Sequence, residues 1–188
     1  MDLVTRAKNM ILAPAAEWPV VAGESTSVAD LYRSYILPLS AIPPVAALIG
    51  TVVFGRFGLG TALYWAVASY ILGLISVYIL GWVASLLAPM FGATGNLQSG
   101  LKLAAYSSTA QWVGGIFTLI PALSILSLLA WIYSIYVSYT GITPIMNVAP
   151  ERRLGYFIAL VIASIVVFFV IGVIVSRITG VGIGPAAI

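Results

Sequence analysis

The chain of 188 residues contains no cysteine and no histidine. Without cysteine there are no disulfides, thiolate metal sites or cysteine nucleophiles, and without histidine the usual general base is missing. Charged residues make up 7% of the chain, against roughly 25% in soluble domains. Hydrophobic residues account for 62%, and the net charge of +3 is too small and scattered for a nucleic-acid surface. We therefore expect a membrane protein with no cofactor, no metal and no nucleic-acid partner.

Five apolar stretches are long enough to cross a bilayer as helices, which need about 20 residues and satisfy their own backbone hydrogen bonds. They lie at about residues 35–54, 62–88, 104–120, 122–141 and 156–176. Only Pro121 separates the third stretch from the fourth, so a single kinked helix is the competing interpretation. At roughly 35 residues such a helix would exceed one crossing. The predicted fold class is all-α, a polytopic membrane bundle of five transmembrane helices preceded by a short interfacial amphipathic helix.

The basic residues favour one orientation of these stretches. With the N-terminus inside, six basic residues face the cytoplasm and two face outward. Merging the third and fourth stretches would make the count four against four, whereas short cytoplasmic loops carry an excess of Lys and Arg. The charges therefore support five crossings, a cytoplasmic N-terminus and an outer C-terminus. The inner set is Arg6, Lys8, Arg33, Lys102, Arg152 and Arg153, and the outer set is Arg56 and Arg177.

Three regions follow from this count. Residues 1–34 form a cytoplasmic or interfacial segment, residues 35–176 form the membrane domain, and residues 177–188 form a short outer tail. Apolar residues of the first segment recur at helical spacing between Leu3 and Ile11, with Arg6 and Lys8 among them. This pattern predicts an amphipathic helix along the inner membrane surface, with a mobile tail as the alternative. No apolar core of a signal peptide follows it.

The stretch "ILAPAAEWPVVAGE" predicts a membrane anchor at the end of this surface helix. Pro14 is expected to end the helix, and Pro19 to keep the following chain extended. Trp18 is expected at the level of the lipid headgroups, with its ring buried and its N–H in water. Glu17 is expected to face water. These residues would determine how the first span enters the bilayer.

Two further charged groups are candidate contacts for partners or lipids. Ser27 and Asp30 are spaced as in a helix-capping box, and Asp30 and Arg33 could pair one helical turn apart. Arg152 and Arg153 precede the fifth span and could attract anionic lipid headgroups. The alternative for these two arginines is a role in topology alone.

Several motifs carry a family resemblance. The run "RAKNMILAPAAEWPVVAGE…DLYRSYILPLSAI" contains an L-x-P-x-x-x-W element formed by Leu12, Pro14 and Trp18, and the central "AAYSSTAQWVGGI" and later "SYTGI" follow it. Together they resemble the bacterial branch of the Yip (Ypt/Rab-interacting protein) domain family. The resemblance implies a multispanning protein of the bacterial inner membrane. Eukaryotic relatives act as membrane scaffolds linked to Rab-type GTPases, so for a bacterial chain the resemblance implies a fold and a compartment but no reaction.

No charged residue falls inside the five predicted spans. Coupled pumps and intramembrane proteases need ionisable groups there, so we expect no enzyme. The spans do carry a weakly polar face on the third and fourth helices. It is either a packing surface or a wet path for a small neutral solute. Its residues are Ser107, Gln111, Thr118, Ser127 and Ser134.

The first span contains a double proline, Pro43–Pro44. Two missing backbone donors are expected to kink the helix, and a broken helix of a transporter site is the alternative.

The leading functional prediction is a membrane scaffold or adaptor, self-associating through its small-residue faces or binding lipids and other membrane proteins. The alternative is a small-solute channel or transporter with a path around Gln111.

Overall fold

The computed structural model describes residues 2–55 and 58–179, with side chains described up to residue 173. Across these ranges the chain is helical and contains no strand, so the all-α prediction is confirmed there. The α-helices are α1 (Leu3–Leu12), α2 (Pro14–Gly23), α3 (Val28–Leu31), α4 (Leu37–Ser40), α5 (Ile42–Val53), α6 (Leu59–Leu87), α7 (Leu97–Ser107), α8 (Thr109–Gly114), α9 (Ser124–Met146) and α10 (Pro150–Thr179). A π-helix (Tyr32–Ile36) joins α3 to α4, and 3-10 turns cover Ala88–Phe91, Gly115–Leu119 and Pro121–Leu123.

Four helical stretches of the described chain are long and apolar enough to cross a membrane. They are Val28–Val53, Leu59–Phe91, Pro121–Met146 and Pro150–Val173, and they overlap the first, second, fourth and fifth predicted spans. The third prediction, residues 104–120, differs because the helix there is divided among α7, α8 and the turn Gly115–Leu119. This segment is also the interior of the bundle: every residue from Leu101 to Ala110 except Ala104 is buried.

Glycines show how the third segment packs. A Cβ placed on Gly100 would lie 2.0 Å from the Gly81 carbonyl oxygen, so α6 and α7 are in backbone contact. A Cβ on Gly50 would lie 2.5 Å from the carbonyl oxygen of Leu119, so the last turn of the segment meets α5. The segment therefore runs the length of the bundle, antiparallel to α6. We call the end that holds α1 and α2 the near end, and the end with the α5–α6 connection the far end.

The helix of the first predicted span is interrupted near its double proline. α4 ends at Ser40 and α5 begins at Ile42, which places Pro43 and Pro44 in the first turn of α5. Prolines are tolerated in a first turn because the N–H groups they lack have no intrahelical acceptor there. The ring of Pro43 packs against Gly115, where a Cβ would lie 2.5 Å from the proline Cγ.

The N-terminal segment forms a helical hairpin on the bundle. α1 ends at Leu12, and Pro14 opens α2 instead of an extended chain. Pro19 lies inside α2, so the prediction of extended backbone after Trp18 is wrong. Pro19 removes only the hydrogen bond to the carbonyl four residues earlier, at exposed Ala15, where water can replace it.

At the other terminus α10 continues to Thr179, past residue 176, and the rest of the predicted tail lies outside the described residues.

Replacing Gly81 with alanine should force α6 and α7 apart. The new Cβ would lie 2.8 Å from the Leu101 Cα, so backbone must move, and we expect a loss of about 1–3 kcal/mol of stability. Thermal unfolding of the purified protein in detergent measures it. Gly73→Ala in the same helix is the matched control, since nothing lies within 4 Å of its Cβ position. Equal midpoints for the two variants would contradict the close approach.

Candidate functional site

A buried ion network joins the two helices of the N-terminal hairpin. Arg6 is 4% exposed and Glu17 is 5% exposed, and Arg6 Nη1 lies 2.5 Å from Glu17 Oε1. The second guanidinium nitrogen pairs with Glu24 at the end of α2. Asn9 Nδ2 donates to the other Glu17 oxygen at 3.0 Å. Both oxygens of the Glu17 carboxylate therefore have partners, as a buried charge requires.

Lys102 extends this network from the hairpin to α7. It is 6% exposed, and its Nζ donates to the Val21 carbonyl at 3.0 Å and to the Glu24 carbonyl. Both carbonyls belong to the C-terminal end of α2, which is a favourable place for a cation because the helix dipole is negative there. Lys102 thus caps α2 and ties the hairpin to the centre of the bundle.

Trp18 lies between the hairpin and the bundle with no exposed surface. Its Nε1 donates to the Val137 carbonyl at 3.2 Å and to Thr140 Oγ1 at 3.1 Å, both on α9. Gly141 makes room for the ring, since a Cβ there would lie 2.5 Å from the indole. The expectations that the Trp18 N–H and the Glu17 carboxylate face water are therefore wrong. Trp18 is bonded to α9, and the partners of Glu17 are Arg6 and Asn9 on α1.

A polar cleft opens beside the network at the near end. Its cavity volume is about 540 Å³, and its walls include Asp2, Arg6, Glu24, Tyr35 and Tyr106. The two tyrosine rings are in contact, with centroids 4.5 Å apart and planes inclined at 55°. At the rim, hydrogen bonds from the hydroxyl and N–H of Thr5 hold the pKa of the Asp2 carboxyl below its usual value. The cleft contains both charge signs, so it shows no preference for an anion or a cation.

The other predicted anchor residues lie at the near end but do not join this network. The N–H of Asp30 donates to Ser27 Oγ at 3.1 Å, which caps α3 as the spacing indicates. Arg33 is exposed and forms no ion pair with Asp30. Arg152 is exposed beside Gly92, whereas Arg153 stacks on the Tyr139 ring at 4.1 Å. Pro14 is buried at the start of α2.

The structure brings together three of the five residues of the predicted polar face. Ser107, Gln111 and Ser134 line one cavity, whereas Thr118 and Ser127 do not. The Thr118 hydroxyl donates to the Gly115 carbonyl at 2.7 Å, and the Ser127 hydroxyl donates to the Gly114 carbonyl at 3.0 Å. Those two hydroxyls therefore stabilise the end of α8 and the turn after it.

The cavity lies inside the bundle among α6, α7, α8, α9 and α10, and its volume is about 150 Å³. Ser107 donates to the Leu103 carbonyl, and Ser134 Oγ accepts the backbone N–H of Gln111 at 2.9 Å. This last bond serves a backbone group that the break at Ser108 leaves without a helical acceptor. The side-chain amide of Gln111 forms no hydrogen bond with the described part of the chain, and it lines the cavity.

Sequence reasoning missed the network residues Arg6, Glu24 and Lys102, which it treated only as topology signals or omitted. A signal was present: three of the five acidic residues, Asp2, Glu17 and Glu24, lie within the first 24 positions beside Arg6 and Lys8. Opposite charges this concentrated in an otherwise apolar chain indicate pairing. Lys102 had no such signal, because its partners are backbone carbonyls.

Comparison with known proteins gives one family and one group of relatives. A family model described as the Yip1 domain matches residues 8–171. The inner membrane protein YohC of Escherichia coli strain K12 is 29% identical over 155 residues, which cover 76% of this chain and 80% of YohC. YohC of Escherichia coli O6:H1 strain CFT073 matches to the same extent. No solved structure matches the chain.

Replacing Arg6 with methionine should release the hairpin. Two glutamates would lose their shared partner, and breaking a buried pair in this way costs about 3–5 kcal/mol. We expect a lower unfolding midpoint in detergent and faster cleavage after Glu24 by a glutamate-specific protease. Lys8→Met is the control, because it removes the same charge from an exposed position of the same helix. If both variants behave alike, the ion network does not hold the hairpin.

Proposed function

The chain belongs to the Yip1 domain family, and on that premise we propose that it is a non-catalytic scaffold or adaptor of the bacterial inner membrane. It would contact lipids, other membrane proteins or further copies of itself. The observation that supports this role is the use of the buried charges. They hold the N-terminal hairpin on the bundle by pairing with groups of the protein itself.

Most of the described buried polar groups form hydrogen bonds or ion pairs with other groups of the protein. Among the described residues the buried charged side chains are Arg6, Glu17 and Lys102, and each is bonded within the near-end network. The hydroxyls of Ser107 and Ser108 donate to carbonyls of their own helix. Catalysis needs a group poised toward a reacting atom, whereas groups bonded in this way favour a fixed framework.

We propose five crossings, with the third formed by α7, α8 and the turn Gly115–Leu119. This segment spans about 35 Å by helical rise, enough for a hydrocarbon core of about 30 Å. It contacts α6 near Gly81 and α5 near Gly50, which are at opposite ends of the bundle. No residue from Leu101 to Gly115 is exposed, so this part needs less hydropathy than a lipid-facing helix.

We also propose that the near end faces the cytoplasm and the C-terminus lies outside. The six basic residues counted as inner in the sequence all lie on elements that meet at the near end, which matches the positive-inside rule. Of the two outer ones, Arg56 lies outside the described residues and the side chain of Arg177 is not described. The inner residues are Arg6, Lys8, Arg33, Lys102, Arg152 and Arg153.

The surface for partner or lipid contact is the near-end platform, defined as exposed Lys8, Asp30, Arg33, Glu151 and Arg152. Lys8 lies on the hairpin, and the other four lie on α3, the π-helix and the first turn of α10. Each basic residue can attract anionic headgroups by about 1 kcal/mol. The small residues of α6 that recur at helical spacing are only partly covered. Ala62 and Ser76 are buried inside the bundle, whereas Ser69 is exposed and nothing lies within 4 Å of a Cβ at Gly73, so this part of α6 stays open to a second copy.

Site-specific photocrosslinking in living cells tests the scaffold. A photoreactive amino acid at Lys8, Arg33 or Arg152 should give a discrete crosslinked band, either with another protein or with a second copy of the chain. Thr61, exposed near the far end, is the matched control position. If the platform positions give no protein adduct beyond that of Thr61, the scaffold proposal fails.

The cavity around Gln111 favours a second candidate, a small-solute channel or transporter. Three predicted polar residues meet there, but Thr118 and Ser127 lie apart from it with their hydroxyls bonded to backbone carbonyls. Among the described residues no polar path therefore continues from the cavity toward the far end. This geometry ranks the conduit below the scaffold.

The absence of cysteine allows a direct test of the conduit. Single cysteines at Ser107, Gln111, Thr118, Ser127 and Ser134 can be treated with a membrane-impermeant thiol reagent in intact cells and inverted vesicles. A scaffold predicts no labelling at these positions, while a control cysteine at Ser99 labels from one side only. Labelling of Thr118 or Ser127 together with Gln111 would reveal a continuous water path and replace the scaffold with the conduit.

A further inference from the structure

The cavity around Gln111 opens sideways between α9 and α10. Its rim includes Trp131, Ile165 and Phe168, whose side chains are 43%, 61% and 44% exposed on the outer surface of the bundle. Both helices are among the membrane-spanning candidates, and these residues lie in their middle turns. A molecule therefore reaches the cavity from the hydrocarbon phase rather than from water.

The walls define the chemistry of an occupant. No charged residue lines the cavity, so a charged ligand would be left without a partner. Aromatic side chains are present at Trp131, Phe157 and Phe168, and apolar ones at Leu80 and Leu160. The volume of about 150 Å³ suits a single six-membered ring, since apolar cavities of this size bind benzene. The walls therefore select a flat, neutral, lipid-soluble ring.

The polar groups of the cavity offer donors to an acceptor on that ring. The hydroxyls of Ser107 and Ser164 already donate hydrogen bonds to the carbonyls of Leu103 and Leu160. The Gln111 amide has two N–H donors and no partner among the described residues. An amide left unbonded in hydrocarbon costs about 1–3 kcal/mol, and a ligand oxygen can remove that penalty.

We propose that this cavity binds the ring of a membrane-dissolved quinone, with a ring carbonyl accepting a hydrogen bond from the Gln111 side-chain amide. The apolar tail leaves through the opening between α9 and α10 into the bilayer. A quinone combines the required features: it is flat, neutral, soluble in hydrocarbon and carries carbonyl acceptors. Binding at this site does not depend on the scaffold role.

Tryptophan fluorescence tests the proposal on the purified protein in quinone-free lipid nanodiscs. A decyl-substituted benzoquinone should quench a saturable part of the emission, and Trp131→Phe should remove that part because Trp131 borders the cavity. Gln111→Leu should weaken saturable binding about ten-fold. This variant keeps the backbone bond to Ser134. Gln98→Leu, the same change at an exposed position, should leave binding unchanged.

Three results would overturn the inference. One is quenching that rises linearly without saturation, which indicates only partition into the lipid. Another is saturable binding that Gln111→Leu does not weaken, since the carbonyl would then have no role. The third is equal competition by decylbenzene, which lacks the carbonyls, and this would assign the cavity to a lipid chain. Ser138→Leu places a larger side chain in the cavity and should also abolish saturable quenching. An unfolding midpoint equal to that of the unaltered protein shows that this loss does not come from misfolding.

Discussion

The buried pair of Arg6 and Glu17 is the interaction on which the near end depends. Each ion loses several kcal/mol of hydration when it is buried, and only a fully bonded arrangement compensates for that loss. Glu24 and Asn9 complete the arrangement, and Lys102 fastens it to α7. Because the hairpin lies in this one position, Trp18 enters the space above Gly141 and hydrogen-bonds to α9. A segment that could have been a tail thereby becomes part of the core.

The broken third segment has a comparable role inside the bundle. A continuous helix would satisfy its own backbone, but the interruption at Ser108 leaves the Gln111 N–H to be bonded by Ser134 from α9. That bond ties α8 to α9, and both of its residues line the cavity. In a membrane, such an irregularity is tolerated only where protein covers it.

Features that depend on residues close together in the sequence could be predicted, whereas features that depend on distant residues could not. Long apolar stretches identify α6, α9 and α10 because lipid imposes length and hydropathy on each helix separately. The capping of α3 by Ser27 is local in the same sense. The hairpin was mispredicted because its partners are distant: Trp18 bonds to Val137, and Lys102 bonds to Val21. From the local sequence alone, a tryptophan near two prolines indicates a membrane interface. The burial of Trp18 can be recognised only when it is known that Gly141 faces its ring.

The sequence by itself determined the class of the protein, its apolar helices and the scarcity of ionisable groups within them. The reason is that a bilayer requires each spanning helix to be long and apolar, whatever its neighbours are. The tertiary structure decided which polar groups meet. It placed Arg6 and Glu17 together out of water, directed the Thr118 and Ser127 hydroxyls to backbone carbonyls, and left the Gln111 amide facing a cavity. These outcomes depend on helix positions, and those positions come from close backbone contacts such as the one between Gly81 and Gly100. A contact between two glycines leaves no hydropathy signal, since it consists of the absence of side chains.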